Sequence, residues 1–182
     1  VGNWSTSGSF AIEIDTSAPP APTVTGTTPT TDTTPTWTWT SNGGAGAYRY
    51  QLDSESGTWT DTAATSYTPG APLSQGTHIL YVRERDGVGN WSGSASYGIT
   101  IDTTPPSPPN VSGTSPTYDT TPTWTWTSGG GGTGDYRYQL DGTGGTWTDT
   151  TALSYTPVSP LSETTHRLYV EEKDAVGNWS AN

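Results

Sequence analysis

The sequence of 182 residues predicts an all-β protein made of tandem two-sheet sandwiches, and three observations support this. The stretch VGNWS stands at residues 1–5, 88–92 and 176–180, so one unit recurs after 87 and then 88 residues. A recurrence of this length is typical of domains in an array. Short segments alternate apolar and polar residues between turn residues, as half-buried strands do. No segment has the 3.6-residue period of an amphipathic helix.

The first complete repeat contains seven predicted strands. In chain order they are residues 23–26, 34–41, 48–53, 58–61, 66–68, 77–86 and 97–101. Alternate residues of a strand point to the same face, so the second strand places Trp37 and Trp39 together toward the core. The third strand does the same with Tyr48 and Tyr50.

The last two predicted strands complete the core. The sixth points Leu80 and Val82 inward together with His78. The seventh closes the domain with three alternating side chains: Tyr97, Ile99 and Ile101. Seven short strands in about 87 residues, with no helix to cover a sheet, fit a sandwich of the immunoglobulin type.

The repeat predicts the division into domains. Residues 1–15 are interpreted as the closing strand of a preceding or neighbouring repeat, residues 16–102 as a complete repeat, and residues 103–182 as a second repeat without its closing strand. Two proline-rich linkers, Ala18–Pro22 and Pro105–Pro109, lead into the repeats. Successive prolines fix φ, so we expect extended linkers and a linear rod.

Composition and charge exclude several classes of protein. The formal net charge is −11 with only six Lys and Arg, which argues against nucleic acid and anionic membranes as partners. No apolar run reaches the roughly 18 residues that span a bilayer. Cysteine is absent, so the chain forms no disulfide and has no thiol chemistry.

The repeat junctions carry a family resemblance. The stretch RERDGVGNWSGSASYGITIDTTPPSPP at 83–109, with its partners EEKDAVGNWSAN and VGNWSTSGSFAIEIDTSAPPAP, resembles the bacterial immunoglobulin-like repeats of giant surface adhesins and other long extracellular proteins. The resemblance implies a cell-surface stalk or spacer that is often stiffened by calcium at its joints. The density of tryptophan and the TWTWT strand depart from the familiar members.

The signature follows a strand that places two carboxylates toward the core. Glu84 and Asp86 share the parity of Leu80 and Val82, and an inward carboxylate needs a partner or a metal. In an immunoglobulin sandwich this end of the strand lies beside the incoming linker, so oxygen ligands of the kind that calcium takes can converge there. The two candidate sets are Asp15, Glu84, Asp86 and Asn90 in the first repeat, and Asp102, Glu172, Asp174 and Asn178 in the second.

A simpler interpretation of the same residues stays open. In it, Asp86 and Asp174 only cap the turn, Gly89 and Asn90 supply its positive φ, and Glu84 pairs with Arg85 or another neighbour. The simpler interpretation needs no metal.

Other side chains suggest ligand binding but no catalysis. His78 and His166 take equivalent core-facing positions, and the sequence indicates no Ser or Asp partner for either at catalytic spacing. Without a nucleophile, phosphate loop or isolated acid pair, we expect no enzyme. Trp59 and Trp147 are candidates for stacking on a sugar. The alternative to a structural repeat is therefore a carbohydrate- or protein-binding module.

The two ends of the sequence are complementary. Residues 1–15 carry Phe10, Ile12 and Ile14 on one face of a strand, and the repeat from 103 to 182 lacks that strand. Either the chain continues covalently into further repeats, which the spacing favours, or this strand inserts into the next copy. Both arrangements join copies head to tail into a filament.

Overall fold

The computed structural model describes residues 1–182 and contains thirteen strands and no helix. The first seven belong to the first repeat: β1 (Thr23–Thr25), β2 (Trp37–Thr40), β3 (Ala47–Leu52), β4 (Thr60–Thr62), β5 (Ser66–Tyr67), β6 (Gly76–Arg85) and β7 (Ala95–Ile101). The other six belong to the second: β8 (Asn110–Ser112), β9 (Trp124–Thr127), β10 (Asp135–Leu140), β11 (Thr148–Thr150), β12 (Ser154–Tyr155) and β13 (Leu168–Lys173). No helix capable of crossing a membrane is present.

Each repeat forms two sheets. The strand orders are β1-β2-β5 and β4-β3-β6-β7 in the first repeat, and β12-β9-β8 and β11-β10-β13 in the second. Neighbouring strands run antiparallel, as between β3 and β6 or between β10 and β13. The prediction of an all-β chain of tandem immunoglobulin-like sandwiches is confirmed.

The alternation of the sequence explains the core of the first repeat. In β2, Trp37 and Trp39 are buried and the threonines between them are exposed. Trp39 pairs in register with Val24 and packs edge-on against Tyr48, with 5.9 Å between ring centroids. Burial of such rings supplies most of the stabilisation of a core this small.

The core of the second repeat is built from residues equivalent to those of the first. Trp126, Tyr136, Leu168 and Val170 form its buried cluster. Trp124, the counterpart of the buried Trp37, is only half-buried. Strand β13 is the last strand in chain order, and it pairs only with β10.

Compactness divides the chain slightly differently from the repeats. One compact unit is Val1–Thr28, Thr34–Pro72 and Thr77–Ile99, and the other is Pro29–Thr33, Leu73–Gly76 and Thr100–Asn182. Residues 1–22 form no strand. The predicted boundaries at 15/16 and 102/103 stay a prediction.

Candidate functional site

The aspartate of the signature turn organises that turn. Asp86 Oδ1 accepts the amide N–H of Val88, Gly89 and Asn90 at 2.7–3.0 Å, and its Oδ2 accepts Asn90 Nδ2 at 2.8 Å. Gly89 has φ 113°, which a side chain would strain. Desolvation raises the pKa of Asp86, but these hydrogen bonds outweigh it and hold the pKa below its ordinary value. Asp174 is held in the same way.

The asparagine of the signature binds the segment that leads into its own repeat. Asn90 Nδ2 donates to the carbonyl of Asp15 at 3.2 Å, and Asn178 Nδ2 donates to the carbonyl of Asp102 at 3.0 Å. Each of these two hydrogen bonds joins residues of a single compact unit, the first in one unit and the second in the other. The turn therefore fixes the main chain just before each proline-rich linker.

The buried glutamates bind the loop between the second and third strands of each repeat. Glu84 is fully buried, and its Oε1 accepts the amide N–H of Asn42 at 2.9 Å and of Gly44 at 3.1 Å. A Cβ on Gly44 would lie 2.8 Å from Glu84 Cδ, so the loop needs glycine there. Glu172 Oε2 instead accepts the hydroxyl of Ser128.

The predicted calcium ligands do not form an oxygen cage in this arrangement. No group of three or more His, Cys, Asp and Glu side chains is placed to hold a metal. The carboxylates of Asp15 and Asp102 each accept an amide N–H two residues further on. Asn90 turns its N–H groups, not its oxygen, toward Asp86 and Asp15. Calcium binding therefore stays a prediction, and its test is a titration that follows the melting temperature.

An alternating stack of arginine and tryptophan covers the outer face of β3 and β6. Arg49 lies over Trp91 at 4.3 Å and over Trp59 at 5.2 Å. Arg83 lies over Trp59 at 4.6 Å, and Arg85 over Trp91 at 5.4 Å. Desolvation and the neighbouring Arg83 lower the pKa of Arg49 from its ordinary value. We call these five residues the cation–π stack.

The second repeat keeps a shorter cation–π stack. Arg137 lies over Trp179 at 4.3 Å and over Trp147 at 4.9 Å. Glu171 stands at the position that Arg83 has in the first repeat, and it forms an ion pair with Arg137 at 2.5 Å. Trp59 and Trp147, the candidates for sugar stacking, thus both lie under guanidinium groups of their own repeat.

The two histidines have aspartate partners that the sequence spacing did not indicate. His166 Nδ1 lies 2.7 Å from Asp141 Oδ2, and His78 makes the same contact with Asp53. Ser162 Oγ lies 3.4 Å from His166 Nε2, but the carbonyl of Ser162 is nearer, at 3.0 Å. With Nδ1 at a carboxylate and Nε2 at a carbonyl, His166 is placed to donate from both nitrogens. That arrangement does not make it a base for the serine hydroxyl.

A groove of about 940 Å³, lined by both polar and apolar residues, opens in the second repeat. Val111, Gly113, Trp124 and Leu168 are among its lining residues. Residues Phe10, Ile12 and Ile14, which were predicted to form a closing strand, are 90%, 78% and 84% exposed.

Comparisons with known proteins indicate a fold likeness only. No family model matches the chain, and no curated protein matches it. A two-domain fibronectin type III segment of chicken tenascin is 17% identical, with 88% of this chain and 95% of that one covered and a TM-score of 0.36. The chicken CNTN1 FN1-FN3 domains are 15% identical, with 90% of this chain and 65% of that one covered and a TM-score of 0.44. Neither likeness bears on function.

The cation–π stack is the feature that the sequence reasoning missed, although a signal was present. Arg49 and Arg83 are neighbours in the register of β3 and β6, on the face opposite the buried Tyr48 and Val82. Two like charges directly opposite each other repel unless something separates them. A search for aromatic residues near this pair would have pointed to Trp59.

Proposed function

We propose that the protein is a non-enzymatic structural repeat of an extracellular filament or adhesin stalk, in which the domains act as stiff spacers. One observation carries the proposal: Asn90 and Asn178, 88 residues apart, make the same hydrogen bond to the lead-in of their own repeats. A contact that recurs with the repeat serves the array and not a single ligand. The resemblance of the junctions to bacterial surface adhesins supports the cell-surface location.

The linkers support the same proposal. The linkers Ala18–Pro22 and Pro105–Pro109 contain three and four prolines. Prolines restrict φ and lack N–H donors. An extended polyproline segment bound at its start bends less than a glycine-serine tether. Adjacent domains should then keep a defined separation.

The test is the width of the distance distribution between spin labels on the two repeats. The chain has no cysteine, so labels on T58C and T146C, at exposed equivalent positions, are unambiguous. We expect a narrow distribution that broadens in Asn178→Ala, because the lead-in of the second repeat is released. Asn110→Ala, at an exposed asparagine with a different role, is the matched control.

Two results would contradict the proposal. A broad distribution in the unchanged chain would mean that the linkers do not stiffen the array. Saturable binding of one glycan on an array, abolished by Trp59→Ala or Trp147→Ala, would favour the alternative of a carbohydrate- or protein-binding module.

A further inference from the structure

The first repeat concentrates its positive charge on one face. Arg49, Arg83 and Arg85 are the only Lys or Arg residues between positions 16 and 102. Arg83 is the register partner of Arg49, and Arg85 lies two residues further along β6, so all three side chains share the outer face of this sheet. The whole chain has a net charge of −11, and the arginines therefore form a positive patch on an acidic protein.

Two carboxylates of the repeat lie near the arginines, but neither forms a hydrogen bond with them. Glu55 Oε2 is 3.8 Å from Arg83 Nη2, which is longer than a hydrogen bond. Desolvation and Arg83 lower the pKa of Arg49, and Asp61, its register partner in β4, opposes them by less. The positive charges of the patch are thus only partly compensated within the repeat.

Most N–H groups of the three guanidiniums have no acceptor. Arg83 Nε donates to Ser94 Oγ at 2.7 Å, and this is the only side-chain hydrogen bond of the three arginines. Arg49 Nε is buried and has no hydrogen-bond partner. The indole rings that lie against Arg49 supply a donor N–H and no acceptor. A buried donor without an acceptor is uncommon in a folded protein, and here it indicates that a partner is missing.

The second repeat shows which group binds an arginine at this position. Arg137, the counterpart of Arg49, donates from Nε to Glu171 Oε2 at 2.6 Å, and its Nη2 lies 2.5 Å from the same oxygen. Each of the two arginines has an aspartate as its register partner, so that aspartate is not the difference between the repeats. Glu171 aligns with Arg83. The first repeat therefore lacks this carboxylate and has a further positive charge in its place.

We propose that the arginine face of the first repeat binds an extended acidic segment of a partner protein, with carboxylates at alternate positions. One carboxylate binds the outer N–H groups of Arg49 and Arg83 together, as Glu171 binds those of Arg137. Arg83 and Arg85 are about 6.6 Å apart along their strand, which is the spacing of alternate side chains in an extended peptide. This inference goes beyond the role of a stiff spacer and does not rest on it.

The surface beside the patch has room for a second carboxylate. A cavity of about 300 Å³ has Arg85 and Trp91 among its lining residues. Arg85 is exposed and lies 5.4 Å from the ring of Trp91. Asp61 also lines this cavity, and its charge repels a carboxylate that approaches from β4. The second carboxylate is therefore expected on the side of Arg85.

The charge of the whole chain favours a short acidic segment over a densely charged polymer. A sulfated polysaccharide extends beyond the three arginines and meets the repulsion of a molecule with a net charge of −11. A segment with carboxylates at alternate positions contacts only the patch, and charges further away are screened by salt. Arginine also binds carboxylates by paired hydrogen bonds, the geometry that Arg137 adopts.

The experiment titrates the 182-residue chain with the peptide ESESESE by calorimetry, and the uncharged QSQSQSQ is the matched control. We expect one ESESESE peptide per chain, weaker binding at higher salt and no binding of QSQSQSQ. The indole N–H signals of Trp59 and Trp91 should shift in NMR spectra on addition of the peptide. Those of Trp147 and Trp179, under an arginine that already binds Glu171, should not.

Three variants connect the binding to the arrangement of the two repeats. Arg83→Glu gives the first repeat the residue of the second and should weaken binding by at least about 10-fold, because Arg49 gains an internal carboxylate. Glu171→Arg makes the opposite change and should add a second site. Arg167→Glu changes the net charge by the same amount at an exposed arginine outside both stacks, and it should leave binding unchanged. Urea denaturation checks that each variant folds.

Several results would overturn the inference. They are absence of ESESESE binding, equal binding in Arg83→Glu, and tighter binding of a sulfated polysaccharide at the same tryptophans. Association of the chain with itself that Arg83→Glu abolishes would make a second copy the occupant, and this also excludes a separate partner. None of these measurements reports the distance between the repeats, so failure of this inference and failure of the proposed function are distinguishable.

Discussion

Asp141 adopts a left-handed backbone conformation, with φ 59°, just after β10. Aspartate tolerates this conformation better than most residues because its side chain forms local hydrogen bonds. Here Oδ1 accepts the amide N–H of Arg167 at 2.9 Å and Oδ2 binds His166. One residue therefore turns the chain and positions the histidine. Asp53 repeats this, with φ 61°, in the first repeat.

The pair of Asp141 and His166 predicts a dependence of stability on pH. Desolvation raises the pKa of Asp141, but His166 and the Arg167 amide outweigh it and hold the pKa below its ordinary 3.8. The hydrogen bonds to Asp141 and to Ser162 raise the pKa of His166 above its ordinary 6.5. The contribution of His166 to folding stability is complete below pH 6.5 and is lost as the pH rises through the raised pKa. The contribution of the aspartate is lost as the pH falls through the lowered pKa.

We therefore expect the melting temperature of the second repeat to be highest between about pH 4 and pH 6.5 and to fall on either side. Asp141→Asn keeps the turn and the acceptor for Arg167, but it removes the charge that raises the pKa of His166. The decrease in melting temperature above pH 6.5 should then be smaller than in the unchanged chain. Asp119→Asn, which removes a carboxylate with no histidine partner, is the control. An unchanged profile in Asp141→Asn would show that the pair does not set the dependence.

At the scale of single strands, the alternation of the sequence predicted position and facing well. All seven strands of the first repeat lie where they were expected, and no strand end is shifted by more than three residues. Leu80, Val82 and Glu84 are buried in β6 as their parity predicted. The partner of Glu84 was not predictable, because it is the main chain of a loop about 40 residues away, and main-chain donors leave no mark in a sequence.

The cation–π stack of the first repeat and its shorter counterpart in the second belong to this scale, because each links arginines on strands to tryptophans outside those strands. Arg137 lies over two tryptophan rings and forms an ion pair with Glu171, whose side chain is 7% exposed. We expect Arg137→Ala to lower the free energy of unfolding by about 2 to 4 kcal/mol, because two cation–π contacts are lost and a buried carboxylate loses its main partner. Urea denaturation measures this.

Two further variants determine which interaction matters. Arg49→Ala should cost less, about 1 to 2 kcal/mol, because Arg49 has the two rings but no buried ion pair. Arg167→Ala, at an exposed arginine, should change the midpoint little. Equal losses in Arg137→Ala and Arg49→Ala would mean that the ion pair with Glu171 adds nothing.

For the molecule as a whole, the sequence predicted two similar repeats, and the structure shows that equivalent residues of the two can differ in burial. The difference lies in β7 and not in the core residues themselves, which recur in both repeats. Sequence comparison alone cannot give the exposure of Val111, since that value depends on which strand lies over it. Burial is a property of the assembled sandwich.

Val24 and Val111 turn this difference into a prediction, because they are the same residue at equivalent positions with exposures of 7% and 39%. In dilute solution Val24→Ala should lower the stability of the first repeat by about 2 kcal/mol, since it removes well-buried methyl groups. Val111→Ala should lower that of the second repeat by less than about 1 kcal/mol, since its side chain is already partly in water. Calorimetry should show two transitions, and each variant should shift only one of them. Equal costs of the two substitutions would contradict this difference in exposure.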